Sequence, residues 1–247
     1  MKKTLLVMAV QLLFITSIAS AGQMTEMNKH AFMSVKIKAN KGDANSQFAL
    51  GGMYYQGIVT SKNYSMAATM YKKAADQGHQ KAIFNLASMY YKGEGVEKDS
   101  DKAISLFTKA ANHGDNKSAM HLADIFYTGH GVKKDYTKAF KWYKQAANAG
   151  FPLAQHKVGL MYKRGRGTVK DIQQAKSYLN KSAMQSCSEA QYTLGKMYLE
   201  GDGIAVNKEE AESLIKEAYL NGKYEAKIIL DKEHWSVEPK GETLPEE

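Results

Sequence analysis

The sequence predicts an all-α fold assembled from tandem helix hairpins. Two observations carry this: the chain repeats itself every 36 residues without insertion or deletion, and within each copy the apolar residues fall at helical spacing. Steps of 36 from Leu50 land on Leu86, Leu122, Val158, Leu194 and Leu230. From Tyr54 they reach Tyr90, Phe126, Tyr162 and Tyr198, and from Ala67 they reach Ala103, Ala139, Ala175 and Ala211. The five copies run over 46–81, 82–117, 118–153, 154–189 and 190–225.

In the second copy Leu86, Met89 and Tyr90 share one helical face, and Ala103, Leu106, Phe107 and Ala110 share another, so each copy is a helix pair. Asn63, Asp99, Asp135, Asp171 and Asn207 precede the second helix, where a short side-chain oxygen can take up free backbone N–H groups. Gly93, Gly129, Gly165 and Gly201 follow the first helix, and Gly78, Gly114, Gly150 and Gly222 follow the second, as left-handed C-terminal caps require. The pairs Gly93/Gly95, Gly129/Gly131, Gly165/Gly167 and Gly201/Gly203 read as turn chemistry rather than a phosphate loop, because no strand precedes them and every copy has one. The alanines of the 67-type row are small enough to let helices approach closely.

The ends follow the same ruler. Thr25 to Lys41 reads as the second helix of a truncated leading copy, and Ala226 to Trp235 as a first helix without a second, with Asp231, Glu233 and His234 suited to a face toward water. Residues 1–21 read as a signal peptide: Lys2 and Lys3, an apolar run from Leu5 to Ile18, then Ala19-Ser20-Ala21. That run is shorter than the roughly 20 residues a spanning helix needs, so the mature chain, 22–237 plus an acidic and disordered tail over 238–247, is expected to lack a transmembrane segment and to be periplasmic or secreted. Formal charge is +9, and +7 once Lys2 and Lys3 are removed. The single cysteine, Cys187, cannot form an intramolecular disulfide.

The run Ala-x-x-x-Leu-Gly-x-x-Tyr, Gly-x-Gly-Val, Asp, Lys-Ala, Trp-Tyr and Ala-Ala-x-x-Gly is fullest in Leu122 to Gly150 and Ala190 to Gly203. It resembles the Sel-one-like repeat (SLR) family of the tetratricopeptide-repeat superfamily, exported bacterial type. The resemblance implies an α/α solenoid, a right-handed superhelix whose inner surface is lined by the first helix of each pair. Val59 and Thr60 depart from Gly-Val in the first copy, and Ser186-Cys187 replaces the closing glycine of the fourth, at an expected cost of about 1 kcal/mol. Paired cysteines, common in exported relatives, are absent.

No Gly-x-Ser-x-Gly elbow, His-Glu-x-x-His, cysteine pair or acidic Ca²⁺ loop occurs, so no catalytic residue, cofactor or metal is expected. What remains is a binding surface. If first helices line the concave side, Phe48, Phe84, Met120, His156 and Tyr192 form one inward row, and Tyr55, Tyr91, Tyr127 and Lys163 another, with Lys92, Arg164 and Lys196 beside them. Aromatic rings among cations suit a protein partner with an acidic surface. The 48-type row fits core equally well, which makes the 55-type tyrosines the principal candidates. Basic residues are spread over every copy, against a nucleic-acid stripe. The reading is a non-enzymatic adaptor or scaffold. Two alternatives stand beside it: an immunity protein that blocks a secreted effector such as a phospholipase, and a hydrolase of the β-lactamase-labelled kind.

Overall fold

The computed structural model describes residues 26, 29–58 and 61–237, among which every regular element is a helix. The expected leader, the turn at Val59 and Thr60, and the acidic tail lie outside the described residues. A first compact unit, ending at Asp115, holds α1 (29–40), α2 (Ala44–Gln56), α3 (Tyr64–Asp76), α4 (Gln80–Lys92) and α5 (Ser100–Asn112). A second, from Asn116, holds α6 (Asn116–Thr128), α7 (Tyr136–Asn148), α8 (Pro152–Arg164), α9 (Ile172–Ala183), α10 (Ser188–Glu200), α11 (Lys208–Leu220) and α12 (Ala226–Lys232). Even-numbered helices open a hairpin and odd-numbered helices close one. None of the described helices is long and apolar enough to cross a membrane.

The helix boundaries are where the polar signals put them. Asn63, Asp99, Asp135, Asp171 and Asn207 each accept a bond from the backbone N–H three residues on, at 2.9–3.1 Å. Each such cap contributes about 1 kcal/mol. The opening helices stop at Gly57, Gly93, Gly165 and Gly201 in left-handed geometry. At the close of the fourth hairpin Ser186 stands in the same left-handed region, φ 59°, that glycine occupies in the other hairpins. Ser186→Gly is therefore expected to stabilise the second unit by about 0.5–1 kcal/mol. A urea titration followed by tryptophan fluorescence checks this, since Trp142 and Trp235 both lie in that unit; an unchanged or lowered midpoint would count against the reading of Ser186.

Hairpins close through small residues on both partners. A Cβ on Gly51, Gly159 or Gly195 would sit 2.7–2.8 Å from the side chain of Tyr71, Leu179 or Ile215 and 3.2–3.3 Å from the carbonyl of Ala67, Ala175 or Ala211. The opening-helix glycine thus faces the closing-helix alanine, and both faces stay flat enough for backbones to meet. Around this seam the row Leu50, Leu86, Leu122, Val158, Leu194 and Leu230 is buried throughout.

Successive hairpins are stitched by a buried glutamine. Gln47, Gln155 and Gln191 donate to the carbonyls of Ala39, Ala147 and Ala183 at the end of the preceding closing helix, and accept from Gln77, Gln185 and Asn221 after their own. Helix C-termini carry carbonyls with no partner inside the helix, so these bonds satisfy groups whose burial would otherwise cost free energy.

The end helices carry charge where the inner ones are smooth. Lys38 of α1 takes a position held by Ala74, Ala110, Ala146, Ser182 and Ala218, and Asp231 of α12 one held by Gly51, Ala87, Ala123, Gly159 and Gly195. Both are exposed, as caps of a repeat array should be.

Candidate interaction surface

The residues of the two expected rows lie on the opening helices, and the units present them differently. In the first unit, Phe48 of α2 packs 5.8 Å from Tyr71 and stacks at 4.5 Å on His79, and Phe84 of α4 meets Phe107 edge-on at 5.7 Å. These rings are half-buried: one side holds a hairpin together and the other floors the surface. A cavity of about 290 Å³ opens beside Phe84, lined by Tyr55, Tyr71, Phe84, Asn85, Lys92 and Glu94. Tyr91 is half-buried and Lys92 exposed.

The 55-type row has a role that the sequence did not reveal. Tyr55 donates its hydroxyl to Glu94 at 2.8 Å, Tyr127 accepts from Arg166 at 3.0 Å, and Lys163 pairs with Asp202 at 2.5 Å. Each contact spans 39 residues and joins one hairpin to the middle residue of the next Gly-x-Gly turn. Accepting the hydroxyl bond, the Glu94 carboxylate pushes the Tyr55 phenol up to about 12, while Lys163 holds Asp202 below the usual carboxylate range. Tyr127 also packs on Tyr136 and Tyr143, at 5.2 and 6.1 Å. These side chains are latches between hairpins with one edge left to solvent, rather than free docking rings. A signal for this was present: the lysine at 163 stands 39 residues before an acid, Asp202, in the next Gly-x-Gly turn.

In the second unit, Met120 of α6 and Tyr192 of α10 are half-buried, Arg164 is exposed, and Tyr192 lies beneath Lys196 and Lys223 at 5.9 and 5.6 Å. His156 requires a correction. The sequence puts it in the inward row, yet it is 5% exposed, because the 48-type position faces the hairpin seam and an imidazole is short enough to be covered there. Its Nε2 lies 3.1 Å from the Thr193 hydroxyl, which itself donates to the Glu189 carbonyl at 2.8 Å. The hydroxyl can then only accept, so Nε2 carries the ring proton. Burial first, and the charge of Lys157 second, hold the imidazole pKa down to about 4, so the ring is neutral at physiological pH.

A second cavity, about 300 Å³, lies between α8 and α10 above His156, with Lys163, Arg164, Lys196, Lys223 and three carboxylates in its wall. Among the described residues no group of three His, Cys, Asp or Glu side chains is placed to hold a metal ion. Cys187 is half-buried ahead of α10.

Hairpins in unbroken register, joined by glycine-capped turns, define a tandem α-hairpin repeat protein. The chain belongs to the Sel1 repeat family, whose model matches residues 44–79, 80–115, 116–151, 152–187 and 188–223. It is similar to the crystal structure of a Sel1 repeat protein from Oxalobacter formigenes, at 34% identity over 87% of this chain and 94% of that one, with a TM-score of 0.69. A protective antigen of uropathogenic Escherichia coli with an SLR fold is 26% identical over 84% of this chain and 53% of its own length, TM-score 0.59. An immunity protein of Pseudomonas aeruginosa is 24% identical over 76% of this chain and 70% of its own, TM-score 0.45. No curated protein matches the chain. Sel1 repeat proteins are typically interaction modules for other proteins and generally non-enzymatic.

Proposed function

We propose that this protein is an adaptor or scaffold of the bacterial periplasm, exported by residues 1–21, that holds a protein partner against the faces of its opening helices. The observation that supports this most is the aromatic slot of the first unit. Its rings are fixed before any partner arrives: Tyr55 by Glu94, and Phe84 by Phe107. Rings already held in place lose little entropy on binding, which is where association otherwise loses most of its gain. A cavity of about 290 Å³ takes one large apolar side chain, and Lys92 at its edge suits an acidic neighbour on the partner.

The test fills the slot without touching the core. Ser88 lines it and bonds only the Phe84 carbonyl one turn back. Ser88→Trp in the mature chain, used as bait on periplasmic extract, is expected to keep its helicity and melting while capturing at least about tenfold less of the protein that the unaltered bait retains. Equal capture by both baits would overturn the assignment.

A further inference from the structure

The repeat register provides an internal control for every position, and on its opening helix the fourth hairpin departs from the first two at three positions. Where the first two hairpins carry Phe48 and Phe84, Tyr55 and Tyr91, and Gln56 and Lys92, the fourth carries His156, Lys163 and Arg164. Packing does not call for this. A phenylalanine, methionine or tyrosine serves the 48-type position elsewhere, whereas His156 leaves its Nδ1 as the one sealed side-chain polar atom without a partner among the described residues. Leaving a buried acceptor unmet costs about 1–3 kcal/mol. A local rule broken with no structural return points to a site.

The three changed residues line the cavity between α8 and α10. Its three carboxylates are already committed: Asp202 to Lys163 at 2.5 Å, Glu189 to Lys223 at 3.0 Å, and Glu200 to Lys196 at 3.4 Å. Arg164 is left as the cation without a carboxylate among the described residues, so the cavity carries one uncompensated positive charge. Leu160, Tyr192 and Met197 supply apolar wall beside it. A guanidinium bonds a carboxylate through two parallel N–H groups.

We infer that this cavity is a subsite for an acidic side chain on an extended segment of a protein partner, with Arg164 receiving the carboxylate and Leu160, Tyr192 and Met197 its aliphatic stem. The inference rests on the reading of the opening-helix faces as a protein-docking surface and assigns the chemistry of one contact in it.

The test is fluorescence anisotropy with a labelled decapeptide of alternating glutamate and alanine, beside its glutamine counterpart. The mature chain is expected to bind the glutamate peptide saturably and the glutamine peptide at least about tenfold more weakly. Arg164→Gln should lose about tenfold, Arg164→Lys less because the charge remains without the fork, and Lys73→Gln, exposed on the closing helix α3, nothing. Equal affinity for the two peptides, an Arg164→Gln variant that binds as before, a Lys73→Gln loss as large as that of Arg164→Gln, or displacement of the peptide by stoichiometric free glutamate would each overturn the assignment. If Ser88→Trp abolishes capture of the native partner while Arg164→Gln changes nothing in the peptide assay, the docking surface stands and the acidic subsite falls.

Discussion

Gly167→Ala is expected to destabilise the second unit by about 3 kcal/mol, whereas Gly165→Ala, two residues earlier in the same turn, should cost only about 1. Both glycines have left-handed backbone, φ 71° and 63°. They differ in surroundings. A Cβ on Gly167 would lie 2.0 Å from the Tyr136 carbonyl oxygen and 2.4 Å from its carbon, at the start of α7, whereas one on Gly165 finds nothing closer than 3.4 Å. The second glycine of the pair therefore exists to let the turn rest on the preceding hairpin's backbone, which cannot move aside as a side-chain tip can. Since Trp142 and Trp235 both report on this unit, urea unfolding by fluorescence separates the two variants. Equal costs would mean that the turn does not press on α7.

The other large effect is Leu122→Ala, expected to cost about 2–5 kcal/mol and to lower the melting temperature by roughly 5–15 °C. Leu122 is 0% exposed and belongs to the row that runs through every hairpin, so no solvent-side relaxation can fill the space its removal leaves. In a repeat array each hairpin is stabilised by its neighbours, and a loss at α6 spreads to the hairpin beside it. Leu153→Ala serves as the control: that side chain is 46% exposed and its loss should cost under about 0.5 kcal/mol. Calorimetry of the two variants decides the point, and a Leu122→Ala melting curve as mild as that of Leu153→Ala would contradict the assignment of the row to the core.

The hairpins were legible in the sequence because five in-phase copies turn each weak local signal into a strong one. Asp99 alone is a modest cap candidate, but Asn63, Asp99, Asp135, Asp171 and Asn207 in register leave little else to read, and all five cap. The surface was less legible. Periodicity assigns a side chain to a face of its own helix, yet whether Tyr55 or Tyr127 reaches solvent depends on Glu94 and Arg166, two helices further on. The 48-type row shows the same limit from the other side: Phe48 and Phe84 keep an open edge, while the smaller His156 is covered. Likewise the Gly-x-Gly pairs announce a turn, but that Gly95 and Gly167 meet the backbone of Tyr64 and Tyr136 is a property of the stacked hairpins and not of the turn.

The central claim is that the opening-helix face is where a protein docks. Site-specific photo-crosslinking measures this directly, with p-benzoylphenylalanine placed at Gln56 or Thr128 on opening helices and, for comparison, at Lys73 or Lys181 on closing helices, in mature chain exposed to periplasmic extract. All four positions are exposed, so placement costs no packing. The account predicts a crosslinked band of discrete mass, containing one and the same protein, from Gln56 and Thr128 and none from Lys73 or Lys181. A band from the closing-helix positions alone would contradict it.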